Sequence, residues 1–299
     1  MSQVKNGKAF EYALAIAFKE VTKASIQESD LSFQGAKSCY NSLSDSQREV
    51  LNLASIKAAY FLLLNDQKIK DTKTIALQKD SVGLKGDVRD IILEAPENLI
   101  GISAKHNHNA VKHSRLSSKM DFGKKWTGYP CSDLYFDNIK PVFDYLAELR
   151  DKKTLFRNVD GKEDRIYFPI LKAFSEELKR LCLNYQDKFV ELLFQYIVGF
   201  HDFYKVIINV KSKQKKVIIQ SFNLNGTLGY GHKLTIPSKI LSVEIKLESK
   251  NTLIIIFEDG WNMSFRIHSA SSKVQNSLKF DIQFVKLPSQ VISYQIPIV

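Results

Sequence analysis

The chain is poor in cysteine, with three in 299 residues, at Cys39, Cys131 and Cys182. An odd number at wide spacing excludes a disulfide framework and fits a reducing compartment. No CxxC pair is present, which argues against a structural zinc site built on cysteine. Long apolar runs are missing too. Apolar stretches such as Leu253 to Phe257 fall far short of the ~20 residues that span a bilayer. The opening stretch MSQVKNGKAFEY lacks the apolar core of a signal peptide. The expectation is a cytoplasmic protein with no membrane association. Neither a P-loop, a GxGxxG nor a GxSxG elbow occurs, so nucleotide hydrolysis, dinucleotide binding and serine-hydrolase chemistry have no local support. GTLGYG, residues 226–231, is glycine-rich but no Lys-Ser/Thr follows it, and it reads as a hairpin turn. Arginine is scarce: eight against 35 lysines.

What is present is ordinary globular material, 44% hydrophobic and 25% charged, which excludes a disordered tail or a collagen. The length allows one large domain or two medium ones. The net charge of +11 is spread along the chain and points to a polyanion, most commonly nucleic acid. Lysine serves phosphate contact well, whereas arginine forks are the commoner readers of guanine.

Apolar spacing predicts helices over 7–23 (Phe10, Leu14, Ala17, Phe18, Val21) and over 44–65, the latter capped by Ser44. A polar Ser-rich loop is expected between them. Short β-prone runs follow at 74–79, 87–94 and 99–105, punctuated by Gly83, Gly86 and Pro96. Residues 107–119 read as a basic helix, and further helices are expected over 141–150, 169–183 and 186–200, with Pro169 in a first turn. From Tyr204 the chain is β-rich, with six candidate strands: YKVIINV, KVIIQSF, LSVEIKL, TLIIIFE, NMSFRIH and LKFDIQFV. The predicted organisation is a core over 1–155, a helical insertion over 156–203 and a β-rich recognition region over 204–299. If Tyr204 to Val210 supplies a fourth core strand, the core is discontinuous.

Gly86 to Arg115 carries the chemistry. On the strand at 99–105, Ile100, Ile102 and Ala104 share one face, and Gly101, Ser103 and Lys105 share the other. The apolar face can enter a core while Ser103 and Lys105 are presented beside Asp87. A carboxylate that holds Mg²⁺ and a lysine that serves the attacking water suit phosphodiester hydrolysis. An Asp opening one strand and a Lys closing another also occur by chance.

This segment resembles the PD-(D/E)xK nuclease motif of many type II restriction endonucleases. There an Asp opens one strand, and an acid, any residue and a Lys follow on its neighbour. Asp87 and Lys105 match, while Ser103 stands where the acid is usual. A compensating carboxylate is therefore expected, from Glu11, Asp90 or Glu94. GKAFEYAL around Glu11 is similar to the first-helix context in which many of these nucleases carry a Glu facing the metal. The runs IGISAKHNHNAVKHSRLS, DFGKKWTGYPC and WNMSFRIHSASSKVQNSLKFD further resemble HaeIII-type restriction endonucleases. The resemblance implies an α/β (α+β mixed) restriction-endonuclease-like core, a central mixed sheet flanked by helices, with a β-rich C-terminal region. It also implies Mg²⁺-dependent cleavage of double-stranded DNA at a GGCC-type palindrome, most simply by a homodimer. Asp87 and Glu11 would hold the metal, with Ser103 and Lys105 completing the catalytic set.

Two basic clusters are candidates for DNA contact. His106, His108, Lys112, His113 and Arg115 follow directly on Lys105. A zinc site from these histidines is disfavoured by their irregular spacing, and adjacent His-Asn-His letters do not make an HNH nuclease. The second cluster is FRIHSASSK: Arg266 and His268 alternate on one side of a strand, and Ser271, Ser272 and Lys273 follow in a loop. Arg266 is the expected reader of guanine O6 and N7. Trp126 and Trp261 are expected in the core or at its rim. Each basic residue also has a plain reading, a solvated face. The competing functions are a non-catalytic DNA-binding protein, which would shift DNA without cutting it, and a structure-specific repair nuclease of the same fold, which would cut at no fixed sequence.

Overall fold

Phe10, Leu14 and Phe18 recur once per turn and are fully buried. That stripe makes the first helix, α1 (Gln3–Thr22), a core element. The computed structural model describes residues 3–79, 87–107, 110–211 and 214–298. The polar stretch expected as a loop contains α2 (Leu31–Asn41), whose N-cap Asp30 accepts from the Ser32 N–H, and whose Phe33 and Ala36 are buried. The helix α3 (Asp45–Asn65) starts at Ser44 with a reciprocal capping box to Gln47.

The residues fall into two units: 1–109, 199–235 and 289–299 in the first, and 110–198 and 236–288 in the second. In the first unit a mixed sheet contains β1 (Ser25–Ile26), β2 (Thr74–Leu77), β3 (Ile91–Ala95), β4 (Asn98–His106), β6 (Phe203–Asn209), β7 (Lys216–Phe222) and β12 (Ser293–Pro297), in the order β1-β2-β3-β4-β6-β7-β12. β1 runs parallel to β2 and β4 parallel to β6. The strand at 203–209, foreseen as an extra core strand, thus pairs with the strand of Lys105. Ile102, Ala104, Tyr204, Val206 and Ile208 form one apolar face and join Phe10, Leu14 and Phe18 of α1 in a single core.

Two strand expectations change. The strand predicted from residue 87 starts at Ile91, because Ile91 pairs with Ile102 and the chain before it serves other bonds. The glycine-rich 226–231 is not a hairpin turn, since β7 pairs with β6 and β12. The segment instead wraps around two buried carboxylates. Asp66 accepts from Tyr204 Oη at 2.7 Å and the Gly229 N–H at 2.9 Å, and Asp202 accepts from the Thr227 N–H and hydroxyl, each at 2.8 Å. A Cβ at Gly229 would lie 2.2 Å from Asp66 Oδ1, so this approach requires glycine.

The second unit holds an antiparallel sheet of β5 (Ala110–Leu116), β11 (Leu278–Lys286), β10 (Asn262–His268), β9 (Thr252–Phe257) and β8 (Ile240–Ile245), in that order. Residues 107–119, expected as a helix, contribute β5. Its burial alternates residue by residue, with Lys112 and Ser114 turned inward. Among the described residues three α-helices belong to this unit: α4 (Phe122–Thr127), α5 (Asp133–Asp151) and α6 (Phe168–Val198). The helix expected from Pro141 begins earlier, at Asp133 behind the Ser132 cap, with Pro141 inside it. The two helices expected over 169–200 adjoin at a break, Gln186, with φ 48° and ψ −136°. Trp126 and Trp261 are buried, and the Phe174 ring meets those of Phe122 and Phe280 at 4.5 and 5.0 Å.

Candidate active site and nucleic-acid interface

The register that aligns Ile91 with Ile102 brings Asp90, just before β3, to Ser103. Its backbone N–H donates to the Ile102 carbonyl at 2.8 Å, and its own carbonyl accepts from the Gln78 N–H at 2.9 Å. The side chain then has one fixed direction. Asp90 Oδ2 accepts from Lys105 Nζ at 3.0 Å, from Ser103 Oγ at 3.2 Å and from the Ala104 N–H at 2.7 Å. Asp90 and Lys105 remain partly open to solvent, with side-chain exposures of 23% and 17%.

Glu11 faces this group from α1 and is buried. Lys8 Nζ, one turn earlier, donates to Glu11 Oε2 at 2.9 Å. Burial, and then the nearby charge of Asp90, push the Glu11 carboxyl up to about 7, against the pull of Lys8 and Lys105. Two carboxylates thus repel one another across the group. Lys205 lies opposite Ser103 on β6. Its burial, with the charge of Lys105 adding to it, lowers its ammonium to about 7.

Asp87 is arranged differently. Arg89 Nε reaches its Oδ1 at 2.9 Å and Nη2 its Oδ2 at 2.7 Å, and Gln78 Nε2 donates to Oδ2 at 2.9 Å. Burial raises its proton affinity, but these bonds outweigh burial and hold the carboxyl below the usual range. Among the described residues, Asp87 has no hydrogen bond to Glu11, Ser103 or Lys105; Asp90 occupies the position facing them. Gly101 permits the Arg89 arrangement, because a Cβ there would lie 2.1 Å from Arg89 Cδ. Glu94 sits four residues along β3, opposite Leu99, roughly 13 Å from Asp90. Asp90, Lys105, Ser103 and Glu11 are brought together; Asp87 and Glu94 are not. Lys205 was missed, although a lone lysine inside the apolar run YKVIINV was a visible signal.

The donors available for a cation are hard oxygens: two carboxylates and the Ser103 hydroxyl. Among the described residues no group of three or more His, Cys, Asp and Glu is placed to hold a metal. Two carboxylates completed by water and substrate oxygens fit Mg²⁺, which keeps several waters.

The second unit presents His113, Arg115, Arg266 and His268 of the predicted basic residues on one sheet face. Register aligns His113, Asp281 and Arg266 across β5, β11 and β10, and next to them Arg115, Lys279 and His268. Arg266 and His113 are exposed, with side-chain values of 54% and 44%. Ser271, Ser272 and Lys273 lie exposed in the following loop, which is pinned where the Phe156 N–H donates to the Ser272 carbonyl at 2.8 Å. Lys112 is not on that face: it is buried, with Nζ 4.1 Å from the centre of the Tyr196 ring. His106 is buried too, on the core-facing side of β4 opposite Lys105, and burial lowers its imidazole, with Lys211 adding to the effect. His108 lies outside the described residues. The carboxylate Asp281 in the middle of the face was not singled out by sequence reasoning; its only signal is the alternation of LKFDIQF.

Among the described residues no helix is long and apolar enough to cross a membrane. The family model for HaeIII restriction endonuclease matches residues 7–288. The chain is 36% identical to the type II restriction enzyme HaeIII of Haemophilus aegyptius over 98% of its own length and 97% of that protein's. The chain belongs to the HaeIII restriction endonuclease family and is a type II restriction endonuclease.

Proposed function

We propose that the enzyme hydrolyses double-stranded DNA at a GGCC-type palindrome with Mg²⁺, using Asp90, Glu11, Ser103 and Lys105. The observation that carries this reading is the convergence of Lys105, Ser103 and the Ala104 N–H on Asp90 Oδ2, with Glu11 close enough to feel the charge of Asp90. The metal-binding role read at Asp87 passes to Asp90, because Asp87 is committed to Arg89.

Asp90 and Glu11 would hold the ion. When bound, it supplies Lewis-acid stabilisation of the scissile phosphate and a water of lowered pKa. Lys105 Nζ is held by Asp90 at the mouth of the site. From there it orients the attacking water and stabilises charge on the pentacovalent phosphorus. Ser103 fixes the Asp90 carboxylate, and Glu11 would give up its proton in order to hold the cation. Arg266, His113, Arg115 and His268 on the exposed sheet face, with Ser271, Ser272 and Lys273 beside them, contact the duplex, and Arg266 reads guanine. The inward positions of Lys112 and His106 leave them structural roles. A two-fold palindrome is most simply served by two chains related by a two-fold axis. Three unpaired cysteines accord with a reducing cytoplasm.

The test is a plasmid digest with mapped ends. Discrete fragments ending within GGCC, lost with EDTA and in Asp90→Asn and Lys105→Ala, are expected. Retention of cutting by either variant would reject the site. Ends scattered over unrelated sequences would favour the repair-nuclease reading, and a mobility shift with no cutting the non-catalytic one.

A further inference from the structure

We infer that Asp281 is a positioning residue for sequence recognition: a buried carboxylate that holds the Arg266 guanidinium in the pose that reads the base. The inference rests on the reading of Arg266 as a base-contacting residue.

A carboxylate on a face destined for phosphates is a liability, since it repels the backbone. The surrounding face is basic, with His113, Arg115, Lys279, Arg266 and His268 on neighbouring positions. Yet Asp281 stands at its centre and is only 8% exposed. Its neighbours cover it. Arg266 Nη2 donates to Oδ2 at 3.3 Å and Gln283 Nε2 donates to the same oxygen at 3.1 Å. His113 Nδ1 lies 3.4 Å from Oδ1, an ion-pair distance for a protonated ring. Oδ1 is buried and Oδ2 is taken up by two donors, which leaves little of the carboxylate to meet DNA. The arrangement suits holding other groups.

What it holds is chemically specific. An arginine has five N–H donors in a rigid fork. Asp281 engages Nη2 from the neighbouring strand, while the Arg266 side chain remains 54% exposed. An exposed arginine loses rotamer freedom when it docks on guanine, and fixing it beforehand removes part of that loss. Register makes the restraint firm. Arg266 and Asp281 are directly paired on adjacent strands, and Asp281 is directly paired with His113 on the other side.

The test compares wild type, Asp281→Asn, Asp281→Glu, Arg266→Ala and the double variant Arg266→Ala/Asp281→Asn. Two quantities are read: kcat/KM on the duplex that the wild type cuts, and affinity for the same duplex with its site scrambled. Asp281→Asn should lower kcat/KM about tenfold, within the range for one bidentate base contact. Affinity for the scrambled duplex should hold or rise, because a negative charge has been removed. Asp281→Glu, one methylene longer but still charged, should fall between wild type and Asn. In the Arg266→Ala background the Asn substitution should add less than about twofold, the mark of two residues acting as one. Equal loss on both duplexes would mean a merely structural role and overturn the inference. So would an undiminished loss in the Arg266→Ala background. If Arg266→Ala lowers discrimination while Asp281→Asn does not, the Asp281 inference alone fails. If Arg266→Ala leaves discrimination intact, the reading of Arg266 fails and takes the inference with it.

Discussion

Replacing Glu11 by glutamine isolates the electrostatics of the proposed metal site. The wild-type carboxyl is raised from 4.5 to about 7 by burial and by Asp90. Holding that side chain ionised in the metal-free fold therefore costs about 3 kcal/mol. A carboxyl whose folded proton affinity is raised lends stability that is fully present below about 4.5 and is lost as pH rises through about 7. Glutamine has nearly the shape of the protonated acid and does not titrate. In EDTA, the two proteins should be equally resistant to guanidinium near pH 4.5. Above pH ~8 the variant should be the more stable by up to about 3 kcal/mol. Saturating Mg²⁺ should then stabilise the wild type more than the variant, because only the wild type offers a second carboxylate. The apparent Mg²⁺ affinity of the wild type should climb with pH and level off above about 7, since binding releases the Glu11 proton. Stability curves that stay parallel from pH 4.5 to 8 in EDTA would refute the placement of Glu11 beside Asp90.

How far the sequence carried the site depends on the range of the interaction involved. Phe10, Leu14 and Phe18 mark α1 through local spacing, and Glu11 follows from that stripe. The alternation of Ile100, Ile102 and Ala104 against Ser103 and Lys105 is equally local, although β4 buries both faces over 100–104. Asp87 and Asp90 are another matter. Both are acids before the same apolar run, and no local pattern separates them. Their fates are set by the neighbouring guanidinium of Arg89 and by a register that places Ile91 against Ile102. Register is decided across the sheet. The basic stretch after Lys105 was misread for a related reason. The polar residues Lys112 and Ser114 point inward, where the Tyr196 ring and its hydroxyl receive them, so hydrophobicity does not alternate although burial does. Helix α2 was hidden by a Ser-rich, polar composition, since it buries little beyond Phe33 and Ala36.

Three further substitutions probe the same chemistry. Tyr204→Phe removes a donor from the fully buried Asp66 carboxylate; it should lower stability in guanidinium by about 1–3 kcal/mol, with kcat of the folded enzyme kept. Lys205→Met removes an ammonium lowered from 10.5 to about 7. A base with lowered proton affinity makes the wild-type fold gain stability as pH rises from about 7 towards 10.5; the variant should lack that gain in pH-dependent denaturation. Asp87→Asn decides between the two acids. The Asp87–Arg89 pair is nearly buried, with side chains 12% and 10% exposed. Breaking it leaves a guanidinium short of its counter-charge and should cost about 3 kcal/mol of stability. An Asn side chain still accepts from Arg89, and Asp90 still faces Lys105, so cutting per folded molecule should stay within a few-fold of wild type. Stability is recovered by adding Arg89→Met, which removes the orphaned charge. A well-folded Asp87→Asn enzyme that binds DNA but neither binds Mg²⁺ nor cuts would return the metal to Asp87. The bonds from Arg89 to Asp87 would then have to open in the working enzyme, which their burial and number oppose.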